Sequence, residues 1–228
     1  MTFLEYAREI APVLSQGAVT TLIFTFIGMG AGFILAVPLC LYRIYGEGFW
    51  KKIICGYVEI IRGTPMLVQL YMIYYGLPKL LLPMGIRITP FAAAILGFVI
   101  NSTAYQIGYM QGGFKAIPTD QIEAAHSLGM KKWQTVFRIL APQGLRFSIP
   151  ALSNELIYLL KYTSLGFVIQ APELMTKAKI LASDYARYME TYIITAFIYI
   201  LLTFIFTKVT DLAESRLRIP GFESHRIR

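Results

Sequence analysis

Charged residues are absent from two long stretches of the chain, Ile10 to Tyr42 and Ile88 to Phe114, which run for 33 and 27 residues. Each exceeds the ~20 residues that a helix needs to cross ~30 Å of hydrocarbon, so each predicts a transmembrane helix. Three shorter runs, Gly63 to Pro78, Tyr162 to Pro172 and Thr191 to Thr207, become spans if Arg62, Glu155 and Lys161 are accepted within the membrane or at its surface. The pattern predicts five spans, at roughly 16–42, 55–80, 89–113, 148–170 and 190–210, separated by loops marked by Gly, Pro and charge. The expected fold class is an all-α integral membrane protein, a five-span helical bundle forming one domain over residues 1–228. Residues 1–14 mix Phe3, Leu4, Tyr6 and Ile10 with charges, as a helix lying in the membrane interface would. Residues 15–215 form the bundle, and 216–228 a cytosolic tail.

The loop over 114–147 departs from an ordinary connector. Pro118 suits a helix start, Asp120 with Glu123 three residues later resembles a capping box, and Gly129 suits a helix end. A short helix is expected there, followed by a second from about Lys131 to Pro142 whose Trp133, Val136, Phe137 and Leu140 follow i, i+3, i+4, i+7 spacing.

Lys and Arg counts orient the bundle. Loops 43–54 and 114–147 and the tail from Lys208 hold thirteen of the 21 basic residues, the other side six, with Arg62 and Lys161 inside spans. By the positive-inside rule the N-terminus is outside, and the long loop and C-terminus are cytoplasmic. The formal charge of +8 is explained by these loops meeting anionic lipid, with no nucleic-acid partner required. The 56% hydrophobic and 15% charged composition agrees with a membrane protein. Cys40 and Cys55 flank one basic loop and read as free thiols. The start, with Glu5, Arg8 and Glu9 ahead of the apolar run, does not read as a cleaved signal peptide.

Candidate chemistry lies where polar groups meet the membrane. A charge at mid-bilayer costs ~2.5–3.5 kcal/mol on insertion scales, so Glu155 is expected to face a pathway or a compensating partner. Glu59 and Arg62 are three apart and read as a pair on one helix face. Pro65 breaks the second span after Gly63-Thr64, and broken helix at membrane depth lines cavities or is buried, which makes Thr64 and Gln69 pathway candidates. Asn101 and Ser102, mid-way along the third span, either join helices or line a path. Gly28 and Gly32 form a Gly-x-x-x-Gly spacing that suits close helix packing. The chain has no Gly-x-x-x-x-Gly-Lys-Ser/Thr, His-Glu-x-x-His or Gly-x-Ser-x-Gly motif, and its only histidines are His126 and His225. Intrinsic catalysis and a metal or other cofactor in this chain are therefore not expected.

The loop residues Glu123-Ala124-Ala125, Gly129 and Ile139-x-Ala141-Pro142 resemble the signature of permease subunits of bacterial and archaeal ABC importers, with Ala141 where Leu is usual. Gly63 to Pro78, Ala141-Pro142-Gln143 and Leu160 to Leu165 are similar to the permeases of polar amino acid importers of the histidine, glutamine and arginine type, and the likeness covers roughly residues 15 to 215. Members commonly carry Glu and Arg where this chain has Gly108 and Gln111, Gly where it has Asp120, and Asp where it has Tyr162. The resemblance implies a type I importer fold and an inner-membrane location. It implies that Asp120, Glu123, Ala124, Ala125 and Gly129 seat in a partner ATPase, which binds the ATP and Mg. The other implied partners are a second permease subunit, identical or related, and an extracytoplasmic amino-acid-binding protein. The substrate reading is a polar, basic amino acid held by Glu155, Asn101, Thr64, Gln69 and Ser102. Glutamine or another neutral amino acid is the alternative. An ion-coupled carrier or channel would also account for Glu155 but would not require the punctuated loop.

Overall fold

The computed structural model describes residues 2–217 except 82, 84 and 86; of the expected cytosolic tail only 216 and 217 are described. The first element, α1, runs unbroken over Phe3–Tyr45, 43 residues. At 1.5 Å per residue that is about 65 Å, roughly twice the hydrocarbon thickness. Thr2 caps it, accepting from the Glu5 amide while the Glu5 carboxylate accepts from the Thr2 amide. Residues 3–14 are thus the first turns of α1 and not a separate interfacial segment. Tyr6, Ile10 and Leu14 are buried against Leu174, Ala178 and Leu181, and the Tyr6 hydroxyl meets Thr191 Oγ1 at 2.5 Å.

The second expected span is broken. α2 (Phe49–Gly63) stops at Thr64-Pro65, and α3 (Met66–Tyr71), a π-turn over Met72–Gly76 and α4 (Leu77–Leu81) continue it. The two arms meet at 108°, because Pro65 has no amide hydrogen to continue the ladder and forces Thr64 into an extended conformation. α5 (Pro90–Lys115) is the central helix, capped by Thr89, whose hydroxyl accepts from the Ala92 amide. It packs on α1 and on α8 (Ala141–Tyr162), and small residues set both distances. A Cβ on Gly32 would lie 2.7 Å from Gln106 Nε2, and one on Gly28 3.0 Å from Leu159 Cδ2. The Gly-x-x-x-Gly spacing is therefore a packing seam.

The loop over 114–147 holds α6 (Asp120–Ser127) as expected. The second helix does not end at Pro142. α7 (Lys132–Thr135), a π-turn over Val136–Leu140 and α8 form one continuous rod. Pro142 sits in the first turn of α8, so the π-turn absorbs the hydrogen bond that Pro142 cannot give. After α8 comes a 3-10 turn over Thr163–Ile169. The segment expected to be a simple external loop contains a further helix, α9 (Leu174–Asp184), packed between α1 and α10 (Tyr188–Leu217).

Three helices, α1, α5 and α10, are long and apolar enough to cross a membrane, and the bent pair of α2 with residues 66–80 makes a fourth. The element placed at the fourth expected span, α8, is long enough but carries Arg146, Glu155 and Lys161. Ser148 and Glu155 turn toward α5, whereas Arg146 and Lys161 are exposed, which thins its apolar surface. α10 shows the reverse pattern. Phe197, Ile200, Leu201, Phe204 and Val209 are all exposed, an apolar face that suits lipid and not water.

Candidate functional site

Two hydrogen-bonded groups meet on adjacent faces of α5. On one side the break after α2 leaves backbone carbonyls without helical partners. Thr64 Oγ1 donates to the Ile60 carbonyl (2.8 Å), while Gln69 Nε2 donates to the carbonyls of Ile61 (2.7 Å) and Thr64 (3.0 Å) and to Thr64 Oγ1 (2.9 Å). Asn101 Nδ2 then donates to Gln69 Oε1 at 2.9 Å, tying α5 to the break. On the other side Ser102 Oγ donates to Glu155 Oε1 at 3.1 Å and receives Gln106 Nε2 at 3.0 Å. Gln106 also donates to the Met29 carbonyl, so this group links α8, α5 and α1.

The five expected substrate residues are therefore brought together around α5, but as two groups. Asn101, Ser102, Gln69 and Glu155 are buried, whereas Thr64 is exposed. Among the described residues the one hydrogen bond to Glu155 comes from Ser102. For a carboxylate only 4% exposed this is sparse compensation.

Arg62 supplies more, and it does not pair with Glu59 as its spacing predicts. Its guanidinium lies 5.3 Å over the Tyr105 ring and within electrostatic reach of Glu155. Gly108 makes this possible, since any Cβ there would run into Arg62 Nη1. Tyr109 is within electrostatic reach of Glu155, Arg62, Tyr105 and Tyr158. Tyr158 in turn stacks with Tyr162, its centroid 6.4 Å away, and has Lys161 Nζ 4.9 Å over its ring. The result is an exposed Arg62 guanidinium and a buried Glu155 carboxylate near one another among tyrosines, within electrostatic reach but with no ion pair between them among the described residues. Such a site can hold a ligand carrying both charges. The sequence reading missed the tyrosines and Arg62's place, since nothing in their spacing tells which helix faces which.

Glu173 was also missed. It is fully buried and caps α9, accepting from the amides of Met175 (2.7 Å) and Thr176 (2.6 Å), from Thr176 Oγ1 and from Tyr199. Its role is structural, and Glu is not among the preferred N-caps, so no sequence signal marked it. Among the described residues no group of three or more His, Cys, Asp or Glu could hold a metal ion.

In the loop over 114–147, α6 displays Glu123 and Ala124 outward and buries Ala125. The expected Asp120–Glu123 capping box is not formed: Thr119 is the N-cap, without a side-chain cap, because it has helical backbone angles. Asp120 and Glu123 instead lie in the first turn, where the helix dipole favours carboxylates. The C-terminus closes as a Schellman motif, with Met130 N–H to the Ala125 carbonyl (3.1 Å), Gly129 N–H to that of His126 (2.9 Å), and Gly129 at φ +73°.

The described residues form a helical bundle with three helices, and a bent pair, long and apolar enough to cross a membrane, which is the class of an integral membrane protein. Residues 28–219 match the model of the family described as binding-protein-dependent transport system inner membrane component. The L-cystine transport system permease protein TcyB of Bacillus subtilis is 36% identical over 207 residues, covering 90% of this chain and 87% of that protein. The glutamine transport system permease protein GlnP of Escherichia coli is 31% identical over 208 residues, covering 91% and 94%. A solved amino acid ABC transporter, crystallised with histidines, has a chain that superposes with TM-score 0.85 at 35% identity, covering 95% of this chain and 99% of that one. The chain belongs to the binding-protein-dependent inner membrane component family, among its amino-acid ABC transporter permeases. It has the type I importer fold, and the ATPase of this family is a separate partner.

Proposed function

We propose that this chain forms the translocation path for a polar amino acid, with Glu155 and Arg62 contacting the ligand and Thr64 at the edge of the same cleft. Asn101, Gln69 and Ser102 hold these residues in place. The observation that carries this reading is the buried Glu155 carboxylate, singly hydrogen-bonded beside a guanidinium and tyrosine wall. Basic amino acids are the favoured class, because a buried carboxylate is best compensated by a ligand cation. A second reading has support of its own. Arg62 lies within reach of Glu155, so the pair can take the carboxylate and ammonium of any amino acid, and a neutral side chain such as glutamine's would then suffice.

Assembly follows the family. The chain pairs with a second permease subunit, receives ligand from an extracytoplasmic binding protein, and seats α6 in an ATPase that binds ATP and Mg. The N-terminus is outside and the long loop cytoplasmic, as the basic residues require. The test is uptake of radiolabelled arginine, lysine, histidine and glutamine by vesicles of the assembled transporter and its Glu155→Gln variant. A charge-assisted hydrogen bond contributes ~1.5–3 kcal/mol, so the variant should lose roughly ten- to a hundred-fold in transport of a basic ligand while assembly is unchanged. Transport of glutamine alone establishes the second reading. Wild-type uptake by the variant removes Glu155 from the site. Transport without ATP or the ATPase, driven by an ion gradient, overturns the importer reading.

A further inference from the structure

A cavity lies away from Glu155 and its tyrosines, at the cytoplasmic ends of α1, α2 and α5. Its volume is about 290 Å3, and Arg43, Lys51 and Lys115 line it with Gln111 and Cys55, over Phe114. No carboxylate is among the described lining residues. Arg43 Nη1 is shut off from solvent without a hydrogen-bond partner, which is costly for a charged donor. Lys51 is within reach of Glu47, but that carboxylate is already bound to Lys132. Three cations therefore converge on a cavity with little of their charge answered.

The surroundings say what kind of anion fits. Phe49 and Trp50, at 70% and 64% exposure, open α2 beside Lys51, and Ile53 and Ile60 continue the apolar face. Aromatic residues beside basic ones at a span end mark the headgroup level of a bilayer, and basic pockets between transmembrane helices on this side suit lipid headgroups. An acyl chain leaving the cavity would lie along the exposed α2 face, which a soluble anion would leave uncovered.

We propose that the cavity between α1, α2 and α5 binds the phosphate of an anionic membrane phospholipid through Arg43, Lys51 and Lys115. The bound headgroup compensates the Arg43 guanidinium and ties the start of α2 to α5, next to the loop that carries α6. The shared chemistry is a phosphate monoanion, and a free phosphate is the rival source.

Native mass spectrometry of the full chain in detergent tests this, with phosphatidylglycerol and phosphatidylcholine offered in equal amounts. Wild type should retain one phosphatidylglycerol in preference to phosphatidylcholine. Lys51→Gln/Lys115→Gln should weaken that retention about fivefold for each lysine, and Lys52→Gln/Lys131→Gln, which removes the same charge outside the cavity, should retain it. Equal retention of the two lipids overturns the proposal, as does undiminished preference in the cavity variant or equal loss in the control. A parallel arm offers inorganic phosphate alone. A phosphate adduct that the cavity variant loses, without any lipid preference in the first arm, assigns the site to a free anion and overturns the lipid reading.

Discussion

Gly129 and Gly113 show how single residues without side chains set this architecture. Gly129 holds a left-handed conformation at the end of α6, and a Cβ there would meet nothing within 4 Å. Gly129→Ala should therefore cost only the backbone strain, about 1–2 kcal/mol, read as faster amide exchange at the end of α6, with Gly129→Asn milder. Gly129→Arg adds a long charged side chain on the face proposed to seat in the ATPase. It should abolish ATPase pull-down while Gly129→Asn keeps it; equal retention by both means the glycine serves the cap alone. Gly113 has no such freedom. Its Cβ would strike Ser148 Oγ and lie 2.7 Å from the Gly144 carbonyl oxygen, so α5 and α8 must separate. Gly113→Ala should lower stability in detergent by about 1–3 kcal/mol, measured by thermal unfolding.

Among the elements, the broken second span depends most on side chains. Gln69 satisfies two carbonyls that Pro65 strands and passes the connection to Asn101. Gln69→Leu leaves the part-buried Ile61 carbonyl and the buried Asn101 Nδ2 without this partner, at about 1–3 kcal/mol for each. The expected outcome is a lower unfolding temperature together with faster exchange around residues 60–71, and unchanged affinity for whatever ligand remains bound. A loss of affinity at unchanged stability would make Gln69 a ligand contact instead. The continuous α7–α8 rod has a related logic. It joins residue 132, just after the loop bearing α6, to the helix bearing Glu155 by helical backbone throughout.

For the molecule as a whole, the loop that carries α6 is tied to the α1–α2 junction by an ion pair. Lys132, at the base of the loop, bonds to Glu47 between α1 and α2. That hydrogen bond, then the Lys132 charge, holds the Glu47 carboxyl below its ordinary 4.5. A carboxyl with a lowered folded value contributes above its ordinary value and loses that contribution as pH falls through the lowered one. The contact should therefore be unchanged across neutral pH and release only under acid conditions below about 4.5. Both groups are well exposed, so its effect is positional and salt-sensitive. A spin label at Leu128, 82% exposed, should gain mobility in acid, in high salt and in Lys132→Gln. No change in any of the three would show that the contact does not restrain the loop.

Much of this protein was legible in one dimension, because lipid imposes a rule that sequence obeys locally. A helix that must cross hydrocarbon excludes charge over its own length, so α1, α5 and α10 appear as apolar runs. Pro65 and Gly129 punctuate the backbone wherever they stand, so the break and the end of α6 were readable too. Local signals were weaker where neighbours decide. α1 gains its first turns by packing Tyr6, Ile10 and Leu14 on α9, and α9 is itself capped by a glutamate with no capping signature. The sequence marked Glu155 as a charge in need of an explanation. Only the tertiary structure could choose its partners, because Ser102 is 53 residues away along the chain and Arg62 reaches it across α5 through the space that Gly108 leaves open.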